Sequence, residues 1–328
     1  MQSSARKHVG GRACLRTVAC VWLMALLLGG CATPGPQLQS RRPGDLPPRV
    51  ELAATPFFPD DSNLCGPSAL ATSLSAAGLP TEPASLVGQV FLPGREGSLQ
   101  VEMLAGARRR GAVATVIPGT LDALLREIAA GHPVVVLQNL GLSWAPSWHY
   151  AVAIGYDLEA GHMLLRSGPM ERQALSLRTF EHTWRRSERW AFVTLKPGAL
   201  PVTATEAEAT RALVAFERNA LPAAATQAYR SGLERWPDNP TLAMGLGNAL
   251  YAAGDRHGAE AVFRRTGESH GLAAAHNNHA RVLLELGCRD EARHAAERGL
   301  AVAGPLRSTL IQTLAAIEAA IGNRCTGR

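Results

Sequence analysis

The chain has 328 residues, 46% of them hydrophobic and 18% charged, which suits globular material and excludes a disordered or collagen-like polymer. Its length leaves room for two domains. The formal charge of +6 is concentrated at the start: Arg6, Lys7, Arg12 and Arg16 face no acid within residues 1–30, and without these four the 33 basic residues fall to 29 against 27 acidic ones, too balanced for a nucleic-acid footprint.

Those basic residues precede an apolar run from Val18 to Leu28, then Gly29-Gly30-Cys31. A cationic start, a short apolar stretch and small residues at the break are the marks of a secretory signal over residues 1–30, and the run is too short to span a bilayer. The cysteine after two glycines resembles a lipobox, which implies lipid on Cys31 and a membrane anchor; an ordinary signal peptide cut nearby is the competing reading. Ala32 after the cysteine resembles sorting to the outer membrane, so the expected location is the cell envelope, lipid-anchored on the periplasmic face. Residues 31–50, rich in proline, read as a tether.

Removing the leader takes Cys14 and Cys20 with it, and Cys31 would carry lipid. Cys65, Cys288 and Cys325 remain. An oxidising compartment favours pairing, and Cys288 with Cys325, both in the C-terminal helical part, form the expected disulfide. Cys65 is then an odd thiol, either a buried inert residue or a reactive one.

Its surroundings favour the second. Cys65-Gly66-Pro67-Ser68-Ala69-Leu70 opens a helical pattern that runs through Ala77 and stops at Gly78 and Pro80. Proline suits a first helical turn. A cysteine at a helix N-terminus meets free N–H groups and the positive end of the dipole, which favour the thiolate and can hold a developing oxyanion. Further along, Ala112–Ile117 and Pro133–Gln138 read as strands around an amphipathic helix, Leu121–Ala130, opened by Thr120. Trp148–Asp157 reads as a strand with His149 near its start, Gly161 as a turn, His162–Ser167 as the returning strand and Ala191–Lys196 as another.

A helix headed by cysteine, followed by an antiparallel sheet carrying histidine, resembles the papain-like layout. CGPSAL followed by WHYAVAIGYD looks like the bacteriocin-type (double-glycine) cysteine peptidases and their lipoprotein relatives with C-terminal tetratricopeptide repeats. The resemblance covers most of residues 54–197. It implies an α+β papain-like cysteine peptidase domain over residues 51–198, with Cys65 as nucleophile, His149 as base and a peptide or protein as substrate.

Two departures from the family pattern stand out. Where the family carries a glutamine before the cysteine to complete the oxyanion hole, this chain has Asp60 and Asp61. Asn63 is a candidate substitute donor, as are Gln138 and Asn139. Where the bacteriocin-type enzymes place an aspartate to orient the imidazole, Asp157 ends its strand roughly 26 Å from His149 at about 3.3 Å per residue. The hairpin instead returns Ser167 to the histidine, with Glu171 a weaker candidate. Ser167 accepts an imidazole N–H and supplies no charge. A selective peptidase, a peptide-binding domain that no longer cuts, and an acyl transferase using the same dyad therefore compete.

After Pro197 and Gly198 the composition turns Ala-rich and helical. Segments around Gly254 and Gly287 align at a spacing of 33 residues, with a looser copy over 206–236. This resembles tetratricopeptide repeats, so residues 205–323 are expected to form an all-α repeat domain that holds a protein partner or packs as a scaffold. A Cys288–Cys325 bridge would staple the last repeat to a terminal helix, Leu306–Ile321. No CxxC, HExxH or paired His-Cys spacing occurs, and no cofactor or metal is expected.

Overall fold

The computed structural model describes residues 45–60, 63–322 and 325. The expected signal peptide, Cys31 with its lipid and most of the tether lie outside the described residues, as does Asp61. No described helix is long and apolar enough to cross a membrane.

Sheet pairing begins inside the segment read as tether. Arg49–Glu51 (β1) runs antiparallel to residues 155–157, and Leu46 and Val50 pack on the core. A three-residue strand behind Pro47 and Pro48 is too short to show an alternating pattern, so sequence alone places its start in the wrong element.

The sheet is built from Val113–Val116 (β4), Val134–Asn139 (β5), Trp148–Asp157 (β6), His162–Ser167 (β7), Met170–Ser176 (β8) and Ala191–Leu195 (β9), in the order β4-β9-β5-β6-β7-β8. Every pairing is antiparallel. The ten-residue β6 has two neighbours along one edge: β5 borders residues 148–153 and β1 borders 155–157. A small separate hairpin pairs Phe91–Leu92 (β2) with Gly97–Ser98 (β3).

Each face of the sheet is covered by helices. On one face, Cys65–Ala76 (α1), Ala84–Val90 (α2) and Gln100–Arg109 (α3) bury Leu70, Leu74, Leu86 and Met103 against Tyr150, Val152 and Ile154. On the other, Leu121–Ala129 (α4) and Leu177–Arg185 (α5) bury Leu124, Phe180 and Trp184 against Ala151, Ala153 and Tyr156. Alternation along β6 breaks between Ile154 and Tyr156, where a register shift moves the side chain to the opposite face. Thr120 caps α4 through its side chain, as its position suggests. Sequence did not reveal β8 or α5: β8 is mostly exposed and lacks β-branched residues, although Ser176 caps the helix that follows it.

The C-terminal region is helical throughout: Glu206–Glu217 (α6), Pro222–Arg235 (α7), Pro240–Ala252 (α8), Arg256–His270 (α9), Ala273–Glu285 (α10), Arg289–Ala301 (α11) and Arg307–Ala319 (α12). Glycine permits the closest approaches: a Cβ on Gly245 would collide with the Tyr229 ring, and one on Gly247 with the Phe263 ring. Cys288 and Cys325 are joined as a disulfide with Cα atoms 4.3 Å apart. This region packs directly on the sheet domain. Val113 of the edge strand β4 shares a buried cluster with Leu213, Phe216 and Tyr229. Glu127 of α4, fully buried, accepts hydrogen bonds from the Thr203 amide at 2.7 Å and hydroxyl at 2.6 Å, and lies 2.7 Å from His132 Nδ1.

Candidate active site

Cys65 is the first residue of α1, after Leu64 at the cap position. Gly66 and Pro67 have separate steric reasons to follow it. A Cβ at Gly66 would strike the Ser98 side chain of β3, so glycine lets the small hairpin close on the helix start. Pro67 lies in the first turn, where a missing N–H breaks no helical bond. Cys65 is a free, half-buried thiol packed at the edge of the core that contains Tyr150.

The thiol meets the backbone amide of Tyr150, the residue after His149, as well as the amides of Gly66 and Cys65 itself. α1 thus brings the sulfur against the His149–Tyr150 step of β6. The Tyr150 hydroxyl reaches back to the Ser98 carbonyl at 3.2 Å and ties β3 to the same strand.

His149 lies opposite Gln138 in the ladder. Its Nε2 is 2.9 Å from the hydroxyl of Ser167, itself only 6% exposed. A register shift between Leu165 and Ser167 marks the end of β7 where this serine sits. With Nε2–H donated to the serine, the Nδ1 lone pair is left to accept a proton. Asp157 is at the far end of β6, where its carboxylate accepts from the Glu159 and Ala160 amides. Glu171 is exposed and pairs loosely with Arg166 at 3.9 Å.

Asp60 joins the group. Its amide donates to the Gly168 carbonyl at 3.1 Å, which fixes it beside Ser167, and it is 9% exposed. Its negative charge acts on both reactive groups, pushing the Cys65 thiol up and the His149 imidazole up. The other oxyanion candidates fare differently. Asn63 is exposed in the bend before α1. Gln138 donates from Nε2 to Thr183 at 2.6 Å, and Asn139 gives its carbonyl oxygen to the Gly141 and Ser147 amides at 3.0 Å each. Those two amides brace α5 and the β5–β6 turn.

Burial decides the balance of charge. Loss of water pushes the Cys65 thiol above its usual value of 9.0; the surrounding amides pull it down and Asp60 adds to the rise. Burial pushes His149 below its usual 6.5, against the pull of Asp60. Both directions favour the uncharged forms, thiol and imidazole. The amides expected at a helix N-terminus are present and lower the thiol, while burial raises it by more.

Among the described residues, the one grouping of metal-ligating atoms close enough to share an ion is Cys288, Glu291 and Cys325, and its two sulfurs are bonded to each other. Sequence reading missed the Tyr150 amide, the Ser98 carbonyl and the service of Asp60 to both reactive groups. None has a local signal, because each depends on which strand lies beside α1.

Residues 45–192 match the Peptidase_C39 like family. No curated protein matches the chain. Among solved structures, one described as a C39-like peptidase from Bacillus anthracis is similar at 18% identity and a TM-score of 0.40, over 45% of this chain and 98% of that one. A double glycine motif protease from an AMS/PCAT transporter, in complex with the leader peptide, is similar at 16% identity and a TM-score of 0.33, over 43% of this chain and 91% of its own. The family match supports a papain-like C39 peptidase assignment for the mixed α/β region, and with it a cysteine-peptidase type of function.

Proposed function

With residues 45–192 matched to a C39-like peptidase family, we propose that the protein hydrolyses peptide bonds through Cys65 and His149, with Ser167 holding the imidazole. The 2.9 Å contact between His149 Nε2 and Ser167 carries this reading, because it fixes the ring and leaves Nδ1 to work. In the reaction, Sγ bonds to the substrate carbonyl carbon while Nδ1 takes the thiol proton. The same proton then goes to the leaving amine as the C–N bond breaks. Water, deprotonated by the imidazole, cleaves the thioester and returns the thiol. Since burial favours the uncharged form of each group, proton transfer accompanies attack. Amides at the start of α1 face the developing oxyanion. Cys31 anchors the protein by lipid in the cell envelope, and the C-terminal helices act as tetratricopeptide-type repeats that dock a substrate or partner.

One observation favours a second reading, a domain that binds peptide without cutting it: a buried carboxylate, Asp60, occupies the neighbourhood in which an oxyanion would form. Alkylation of Cys65 by iodoacetamide across pH, in the full chain with and without His149→Ala, separates the readings when run beside mass-spectrometric detection of peptide cleavage. The peptidase reading expects labelling of the unliganded protein that still climbs above the usual thiol value of 9.0, together with cleavage that disappears in Cys65→Ala. Intact peptides under every condition would sink it.

A further inference from the structure

The connection from β5 to β6 is an apolar hairpin presented to solvent immediately before His149. Residues Leu140 to Trp148 read LGLSWAPSW, with no charged side chain among them. Trp144 is 81% exposed, Trp148 53%, and Leu140 and Leu142 are also more than half exposed. Met170, exposed too, is paired with Ser167, the serine that holds His149. The hairpin thus adjoins His149 along the chain, and Met170 adjoins Ser167 across the β7–β8 ladder.

The hairpin is built to keep its shape. Leu140 donates to Ser147 at 2.8 Å, and Leu142 and Ala145 exchange bonds at 3.0 and 3.2 Å. The Asn139 carbonyl oxygen gathers the Gly141 and Ser147 amides, and Arg186 donates to the Gly141 carbonyl. A Cβ on Gly141 would collide with the backbone of Ala145, so the tight crossing requires glycine. Large apolar side chains held in water on a braced turn lose their cost when another apolar surface covers them, and tryptophans are the usual anchors of such contacts.

We propose that this hairpin, with Met170, receives large apolar side chains of an extended peptide next to the bond that is cut, and so sets the substrate class. The proposal rests on Cys65 and His149 forming a peptidase centre. A peptide carbonyl delivered to Cys65 must pass the His149 end of β6, and this wall borders that end.

The test uses the full chain carrying Cys65→Ala, so that bound peptide is not consumed, and fluorescently labelled decapeptides differing only in Leu and Phe against Ser and Thr. The apolar set is expected to bind about tenfold tighter or more, a difference of roughly 1.4 kcal/mol. Trp144→Ser combined with Trp148→Ser should abolish the preference. Trp144→Ser alone, at a largely exposed position, is the control against misfolding and should reduce it. Equal affinities, or a preference that survives both substitutions, overturn the proposal. So does a double variant that keeps its peptide preference and instead loses binding to phosphatidylglycerol vesicles, which would assign the patch to a lipid surface. The peptidase reading fails separately: apolar binding without cleavage by the unsubstituted chain sinks that reading alone, and cleavage without apolar preference sinks this one alone.

Discussion

Two desolvated histidines, half-buried His149 in the sheet domain and buried His279 in the helical region, show how little loss of water by itself says about chemistry. His149 in the sheet domain and His279 in α10 are both pushed below the usual imidazole value, chiefly by loss of water. Their partners differ. His149 bonds a neutral serine and neighbours a thiol at a helix start. His279 Nε2 meets the Glu260 carboxylate of α9 at 2.8 Å, in a setting where buried polar groups join helices: the Thr313 hydroxyl donates to Asn277 at 2.8 Å, and Asn239 caps α8 while donating to Glu206 at 2.7 Å. A nucleophile in reach separates a candidate site from a staple. The candidate groups gather at one end of β6, whereas the helical region spreads its polar contacts from pair to pair.

The largest effect expected of this contrast is on peptide hydrolysis. His149→Ala should lower kcat by about a thousandfold or more, the scale on which members of a nucleophile–base unit act. His279→Ala should leave hydrolysis within about twofold at a temperature where the chain stays folded. Steady-state assay of the two variants together decides it. Comparable losses would mean that His149 is as structural as His279.

A smaller change, of opposite sign, is expected at Asp60. Asp60→Asn removes a charge that raises the thiol and exchanges a carboxylate for an amide able to donate to an oxyanion. One such donor is worth about a hundredfold or more where its geometry is ideal. The same substitution removes charge that favours the imidazolium formed during attack. Donor and thiol effects together should win, giving a rise in kcat of roughly tenfold at pH 7 and a downward shift of the alkylation midpoint. A tenfold fall in kcat would instead assign Asp60 the role of charged partner to His149, supplying what Ser167 lacks.

The two regions also differed in what their sequence disclosed. Cys65, His149 and Ser167 were legible because each is set by a local pattern: a helix start with glycine and proline, a strand with histidine near its first residue, and a hairpin whose turn at Gly161 counts residues back to the serine. Asp60 was legible as an oddity and not as a neighbour of both groups, since its position depends on a hydrogen bond to Gly168 more than a hundred residues away. The destinations of Gln138 and Asn139 were hidden for the same reason, as α5 and the hairpin claim them. In the helical region the 33-residue spacing disclosed the helix pairs. It was silent on their docking through Val113 and Glu127, because those residues belong to the other region's periodicity.

The smallest expected effect concerns stability and is specific to the helical region. Burial lowers His279 most, Arg298 of α11 and Arg264 of α9 add to this, and Glu260 opposes it. His276, on the same helix, is lowered by burial and Arg298 against the pull of Glu268. A histidine whose folded pKa lies below its unfolded value binds protons more readily once unfolded. Its contribution to stability is therefore complete above the unfolded value of about 6.5, and is lost as pH falls through that value toward the folded one. The slope for each such group is at most about 1.4 kcal/mol per pH unit. Thermal unfolding of the full chain at pH 7.5 and 5.5 should show a fall in Tm on acidification, and His279→Gln should shrink that fall by removing the titrating group while leaving a polar side chain opposite Glu260. An unchanged fall in the variant would place the acid sensitivity elsewhere, with His149 the next to test. A His149→Gln chain that lost the fall would then make the reactive centre, and not the helix staple, the part of the molecule that holds its histidine neutral at the greater cost to folding.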